Sequence, residues 1–132
     1  MVNRRRVLEL IAQGEGLNVE FKQRFSSYEK IAKEMIAFAN TRGGFILFGV
    51  DDDKAIYGIE SEKSEINFVK DTAEKYCEPK IDIKVDTLEI EKKDLLIVEV
   101  LESKYKPHRI QDYKKELNLN TAQVYVRVND KS

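Results

Sequence analysis

A glycine pair at positions 43 and 44 separates a helical pattern from a short apolar run, and this junction constrains the fold more than any other stretch. The apolar residues before it recur at the spacing of one buried face of an amphipathic helix that ends near Asn40. That face is predicted to comprise Ile31, Met35 and Phe38. Residues 45–50 are apolar, rich in aromatic and β-branched side chains, and too few for most helices. They predict a central strand that is buried on both faces.

The flanks of this junction carry two further predictions. Ser26, with Glu29 three residues later, has the pattern of a capping box that starts the helix. Residues 55–59 are predicted to return as a partner strand of residues 45–50. The three aspartates at positions 51–53 would then form the tip of a hairpin.

The rest of the chain supplies alternating helical and strand patterns. Helices are predicted over residues 4–13 and from Ser61 towards Pro79, because apolar residues recur there at helical spacing. Strands are predicted over residues 18–22, 80–90, 95–101 and 124–128. The apolar positions of residues 80–90 change phase midway, which predicts a bulge near Asp86 and Thr87. The sequence therefore predicts one α+β domain, with helices packed on a mixed, largely antiparallel sheet.

Composition limits the classes of protein that this chain can belong to. Its 132 residues are the size of one domain, and no apolar run approaches the roughly 18 residues of a membrane span. A single cysteine, Cys77, allows no internal disulfide. We expect a cytoplasmic protein with no membrane partner.

The charge is unevenly distributed although the net charge is only −1. Residues 60–102 carry 13 acidic and 7 basic side chains, whereas residues 103–132 carry 7 basic and 3 acidic ones. The densest basic cluster contains Lys104, Lys106, His108 and Arg109, with Tyr105 between the two lysines. Cations interleaved with an aromatic ring favour contact with a nucleic-acid backbone and its bases, and a solvated loop without a ligand is the alternative.

Several motifs together resemble the Schlafen-type, Alba-like DNA-binding domain. They are Glu15 to Lys22 (EGLNVEFK), Ala37 to Gly44 (AFANTRGG), Phe48 to Asp52 (FGVDD) and Val124 to Val128 (VYVRV). The resemblance covers nearly the whole chain. It implies the N-terminal domain of a bacterial transcriptional regulator or helicase-related protein, so that residues 1–132 would precede a C-terminal regulatory or helicase-related domain.

The resemblance also implies a nuclease site, because mammalian relatives use two glutamates and an aspartate at positions that match Glu15, Glu20 and Asp52. Clustered carboxylates can hold Mg²⁺ or Mn²⁺, and Lys22 on the same strand face as Glu20 would hold a phosphate. Structural roles are the alternative: an ion pair of Glu20 with Lys22, and turn formation by the aspartates. The extra zinc site of those relatives needs more Cys and His ligands than this chain possesses.

The leading hypothesis is a non-catalytic nucleic-acid-binding domain, directed to DNA and needing no cofactor. Its phosphate contacts are predicted to be Lys22, Arg42, Lys104, Lys106, Arg109 and Arg127. A metal-dependent endoribonuclease that uses Glu15, Glu20 and Asp52 is the alternative. The third hypothesis is a dimerisation or protein-interaction module, with a homodimer as its simplest form.

Overall fold

Three helices and six strands follow one another along residues 2–111, the part of the chain that the computed structural model describes. They are α1 (Arg4–Gln13), β1 (Val19–Lys22), α2 (Tyr28–Ala39), β2 (Gly44–Phe48), α3 (Glu62–Lys75), β3 (Cys77–Glu78), β4 (Ile83–Ile90), β5 (Lys93–Val100) and β6 (Arg109–Ile110). The predicted strand at residues 124–128, and Arg127 with it, lie outside the described residues. None of the helices in residues 2–111 has the length and apolar content needed to cross a membrane.

Four strands form one mixed sheet in the order β1-β2-β5-β4. Strand β1 is parallel to β2, whereas β5 is antiparallel to both of its neighbours, β2 and β4. The short strands β3 and β6 form a separate antiparallel pair. The prediction of an α+β fold with a mixed, largely antiparallel sheet is confirmed.

The junction between α2 and β2 has the predicted structure. Phe38 is fully buried beneath the sheet, and β2 lies between β1 and β5 as a central strand. A Cβ on Gly44 would overlap the Phe38 ring, so the strand can pass this close to the helix only with glycine there. Gly43 has a φ of 77°, and its N–H donates to the carbonyl of Phe38 at 2.8 Å. The glycine pair therefore lets the chain end the helix and enter the sheet in very few residues.

The sheet is covered on both faces, by different helices. Helices α2 and α3 pack on one face, where Ile46 and Phe48 of β2 point, and α1 packs on the other, where Leu47 points. This arrangement explains why residues 45–50 read as a continuous apolar run.

The predicted bulge near Asp86 and Thr87 is wrong. Strand β4 pairs with β5 in one unbroken register over its whole length, from Ile83 opposite Val100 to Ile90 opposite Lys93. The first half of β4 packs its apolar residues against α2 and α3, and the second half packs them against the α1 side. The apolar phase changes because the sheet is covered on opposite faces at its two ends, which needs no extra residue.

The predicted partner strand at residues 55–59 is also wrong, because β5 occupies the place beside β2. Within the described residues, the pairing reduces to a single bridge between Val50 and Ile56. The chain then crosses the end of the sheet, where the N–H of Ile59 donates to the carbonyl of Asp94 at 2.8 Å. The acidic turn itself forms as predicted, with the N–H of Lys54 donating to the carbonyl of Asp51 at 2.9 Å.

The predicted capping box of α2 is shifted by one residue and lacks its glutamate. The N-cap is Ser27, whose Oγ accepts from the backbone N–H of Lys30 at 3.2 Å. Glu29 instead pairs with Lys33 one turn later, at 3.2 Å. The serine supplies the cap alone, because a lysine stands where a capping box needs glutamate or glutamine.

Candidate functional site

The carboxylate cluster lies on β1 and the segment that precedes it. The carboxyl ends of the parallel strands β1 and β2 meet at one edge of the sheet, so the turn containing Asp52 follows there. Glu15 comes before β1 but folds back along it, because its Oε2 accepts from the N–H of Phe21 at 3.0 Å. This bond brings Glu15 to Glu20, which is only 5% exposed and faces α2.

Glu15 and Glu20 are in direct contact through a hydrogen bond between their carboxyl groups. Two carboxyl groups can bond in this way only if one carries a proton. Burial, together with repulsion from Glu20 and Asp52, raises the pKa of Glu15 to about 7, although the Phe21 N–H partly opposes this. The structure thus brings Glu15 and Glu20 together and leaves Asp52 close enough to repel Glu15.

Glu34 of α2 is a member of this cluster that sequence reasoning missed. It is 8% exposed, and its carboxyl group hydrogen-bonds with that of Glu20. Burial and repulsion from Glu34 raise the pKa of Glu20, whereas Lys22, with its Nζ 3.5 Å from Glu20 Oε2, lowers it. The sequence signal was a lone acid within the otherwise apolar face of α2, three residues after Ile31 and four before Phe38.

The chemistry of the cluster favours a metal site, whereas the arrangement of its side chains does not. Carboxylate oxygens are the ligands that Mg²⁺ and Mn²⁺ prefer. As the side chains stand, however, no group of three or more His, Cys, Asp or Glu residues within residues 2–111 is arranged to hold a metal ion. The metal site therefore stays a prediction.

The predicted phosphate contacts fall into two groups at opposite ends of β2. Lys22 ends β1 at the carboxylate cluster and is paired with Glu20. Arg42 lies two residues before β2 begins, so the five residues of β2 separate it from Lys22. At about 3.3 Å per residue, this separation is roughly 16 Å.

Arg42 is exposed at the C-terminal end of α2. It lines an open depression of about 490 Å³ together with Leu17, Asn18 and Thr41. The acidic turn is out of reach of Arg42, because that turn follows the far end of β2. Within residues 2–111, Arg42 makes no ion pair.

Residues 103–109, which we call the basic loop, are fastened to the same end of α2. Asn40 Oδ1 accepts from the N–H of His108 at 2.8 Å, and Asn40 Nδ2 donates to the carbonyl of His108 at 3.1 Å. The N–H of Ser103 donates to the carbonyl of Ala39 at 2.9 Å. The Asn40 amide thus satisfies backbone groups of the basic loop.

His108 anchors the basic loop from within, since the residue is only 1% exposed. Its Nδ1 lies 2.7 Å from the carbonyl oxygen of Pro79, which can only accept, so Nδ1 donates. Its Nε2 lies 2.5 Å from Ser103 Oγ. Sequence reasoning placed His108 in the basic cluster and missed this role.

Cys77 is buried in the core beneath α2 and α3, and burial raises the pKa of its thiol to about 12.

The cations of the basic loop differ in what they already contact. Lys106 Nζ lies 2.6 Å from Glu102 Oε2, and Arg109 Nη2 lies 2.9 Å from Glu78 Oε1. Lys104 is exposed and makes no ion pair with the described part of the chain. Tyr105, between the two lysines, is 72% exposed.

Together, the fold and these sites define a small α+β domain with a carboxylate cluster at one end of its central strand and a cation-bearing loop at the other. The chain belongs to the Schlafen, AlbA_2 family, whose model matches residues 15–132. The resemblance inferred from the sequence motifs is confirmed.

Several solved structures share this fold, and two of them illustrate the similarity to this chain. One is the N-terminal domain of a protein from Nitrosomonas europaea provisionally named an ATP-dependent DNA helicase RecG-related protein. It is 19% identical, with a TM-score of 0.68 over 94% of this chain and 89% of that one. The other is the DIP2311 protein from Corynebacterium diphtheriae, 18% identical, with a TM-score of 0.62 over 95% of this chain. This chain covers 25% of that protein.

Proposed function

We propose that this chain is a nucleic-acid-binding domain that holds phosphates at the C-terminal end of α2. The observation that carries the proposal is the fastening of the basic loop to Asn40, which places Lys104 on the same end of the domain as Arg42. Both cations are exposed and make no ion pair with described residues. Such cations can neutralise phosphates without first giving up a carboxylate partner.

The other predicted contacts have a smaller part in this proposal. Lys106 and Arg109 are each bonded to a glutamate, so a phosphate must displace Glu102 or Glu78 before it gains a full contact. Lys22 lies at the carboxylate cluster, where the acids repel phosphate. The phosphate backbone is therefore expected to approach from the Arg42 end of β2.

We favour DNA as the ligand and a longer regulator or helicase-related protein as the context. Support comes from membership of the family, and from the name of the Nitrosomonas protein, which refers to a DNA helicase. A C-terminal regulatory or helicase-related domain would then use this domain to engage DNA.

The test is the salt dependence of binding to a duplex oligonucleotide. Each phosphate contact contributes about 0.9 to the slope of log K against log salt, so Arg42→Ala with Lys104→Ala should lower the slope by about 1.8. The matched control is Lys63→Ala with Lys70→Ala, two exposed lysines of α3. Equal slopes in the two double variants would remove Arg42 and Lys104 from the binding surface.

The second candidate is a metal-dependent ribonuclease, favoured by the gathering of Glu15, Glu20 and Asp52 beside Lys22. These are the acids that the family resemblance implies. The test is incubation of the chain with structured RNA, with and without Mn²⁺, beside the Glu20→Gln variant. Mn²⁺-dependent cleavage that the variant lacks would establish the activity, and equal cleavage by both would exclude a role for Glu20.

A further inference from the structure

We propose that Tyr105 is a stacking platform for an unpaired base, so that the nucleic acid held at this surface is single-stranded where it crosses the basic loop. This inference rests on the proposed function and adds the class of ligand. A duplex covers the faces of its bases with neighbouring base pairs, whereas a single strand can offer them to an aromatic side chain.

The first observation is the combination of an exposed ring with a fixed backbone. The Tyr105 side chain is 72% exposed, yet its backbone N–H donates to Ser103 Oγ at 2.9 Å. That serine is bonded in turn to His108, which is buried and held by Asn40. A single exposed aromatic residue on a protein surface needs no explanation by itself. Here, however, the loop that presents the ring is anchored at both ends.

An anchored loop lowers the entropic cost of binding. A mobile loop loses freedom when its aromatic residue is immobilised on a ligand, whereas this loop has already lost it on folding. The hydrogen bonds of Ser103, Asn40 and His108 therefore raise the affinity for a base, although none of these residues needs to contact the base.

The second observation is the pair of lysines that flank the ring. Lys104 and Lys106 are both exposed and are the immediate chain neighbours of Tyr105, in a loop that bends at Lys104 and Tyr105. A strand whose base lies on Tyr105 would therefore have cations within reach of its flanking phosphates. Lys106 would exchange Glu102 for one of these phosphates. A ring between cations is the arrangement by which proteins bind single strands with little base specificity.

The test separates stacking from charge by using ligands with and without bases. Binding is measured by fluorescence anisotropy on a 12-nucleotide single-stranded DNA and on a strand of equal length with tetrahydrofuran spacers in place of its nucleosides. We expect Tyr105→Ala to weaken binding of the first ligand roughly 5- to 100-fold, and to leave binding of the second unchanged. Tyr105→Phe keeps the ring and should bind both ligands as the parent does.

A second measurement reports on stacking directly. The chain contains no tryptophan, so Tyr105→Trp introduces a single indole reporter at the platform. Its fluorescence should be quenched by the single-stranded DNA, and not by the spacer strand or by a blunt 12-base-pair duplex.

The outcomes distinguish this inference from the function on which it rests. Suppose that Arg42→Ala with Lys104→Ala weakens binding, while Tyr105→Ala binds as the parent does and the indole emission of Tyr105→Trp does not respond to single-stranded DNA. The phosphate surface then stands and stacking is overturned. If the parent binds none of the three ligands, both proposals fail. Equal weakening by Tyr105→Ala on DNA and on the spacer strand would show a structural effect, which also overturns stacking.

Discussion

At the scale of single residues, the contact between Gly44 and Phe38 leaves no room for a methyl group. A Cβ on Gly44 would overlap the Phe38 ring and lie 2.9 Å from the carbonyl oxygen of Asn18. We expect Gly44→Ala to lower the free energy of unfolding by about 1–3 kcal/mol, and Phe38→Ala by about 3–5 kcal/mol. The double variant should lose less than the sum, because removing the ring removes most of the clash.

Urea unfolding of the two single variants and the double variant measures this coupling. Gly16→Ala is the matched control, since a Cβ there meets nothing within 4 Å, and it should leave stability nearly unchanged. Strict additivity of the two core substitutions would contradict the contact.

Glu15 makes stability depend on pH near neutrality. Its pKa is raised from 4.5 to about 7 in the folded chain, so the folded state binds the proton more tightly than the unfolded state does. The stabilisation from this proton is complete below pH 4.5, declines as the pH rises, and is lost above about pH 7. Glu15→Gln keeps an oxygen that can accept from Phe21 and cannot ionise.

We therefore expect Glu15→Gln to be more stable than the parent at pH 8, and to differ little from it at pH 4. Thermal unfolding across this range, with exposed Glu9→Gln as the control, measures the difference. A variant that is less stable than the parent at pH 8 would mean that the ionised Glu15 side chain is stabilising.

At the scale of elements, the sequence was informative where a pattern depends on neighbours in the chain. Helix α1 has its predicted bounds, and the helix, glycine pair and strand around Phe38 have the predicted order. The wrong predictions concern features that depend on strands and helices distant in the sequence. Nothing within residues 55–59 shows that β5 takes the place beside β2, and nothing within β4 shows which helix covers each of its faces.

The same distinction applies to the site. The family motif located Glu15 and Glu20, but Glu34 belongs to the cluster only because α2 brings it close to Glu20 of β1. Asn40 and His108 are 68 positions apart, so their contact leaves no local pattern in either segment. Periodicity indicates which face of its own helix or strand a residue occupies. A cluster formed between elements can be identified only when their packing is known.

The clamp between α2 and the basic loop gives a prediction at this scale. Asn40→Ala removes both hydrogen bonds to the His108 backbone and should lower stability by about 1–3 kcal/mol, because buried groups lose their partners. Trypsin should then cleave after Lys104 faster than in the parent, relative to its other sites. Mass spectrometry of short digests measures the ratio, with exposed Asn67→Ala as the control. Uniform acceleration at all sites would indicate global destabilisation without local release of the loop.

At the scale of the whole molecule, β2 separates two chemically different ends. Lys22 and the turn that contains Asp52 lie at one end, Glu20 lies opposite Ile46 in the middle of the strand, and Arg42 with the basic loop lies at the other end. The roughly 16 Å between Lys22 and Arg42 exceeds the Debye length of about 8 Å at physiological salt. The two ends should therefore act on a bound nucleic acid independently.

This independence predicts how Glu20→Gln changes DNA binding in the absence of divalent metal. Glu20 lies opposite Ile46, four residues along β2 from Arg42 and so roughly 13 Å away. Its removal should leave the salt slope unchanged and alter affinity less than about 3-fold at about 0.15 M salt, because screening weakens the remaining repulsion. The control is Arg42→Ala, which should lower the slope by about 0.9.

Adding Mn²⁺ distinguishes the two candidate functions. If Mn²⁺ tightens binding by the parent and not by Glu20→Gln, the carboxylate end recruits the ligand through metal, and the ribonuclease candidate gains its site. If Mn²⁺ affects both proteins alike, nucleic acid is held by the cationic end alone.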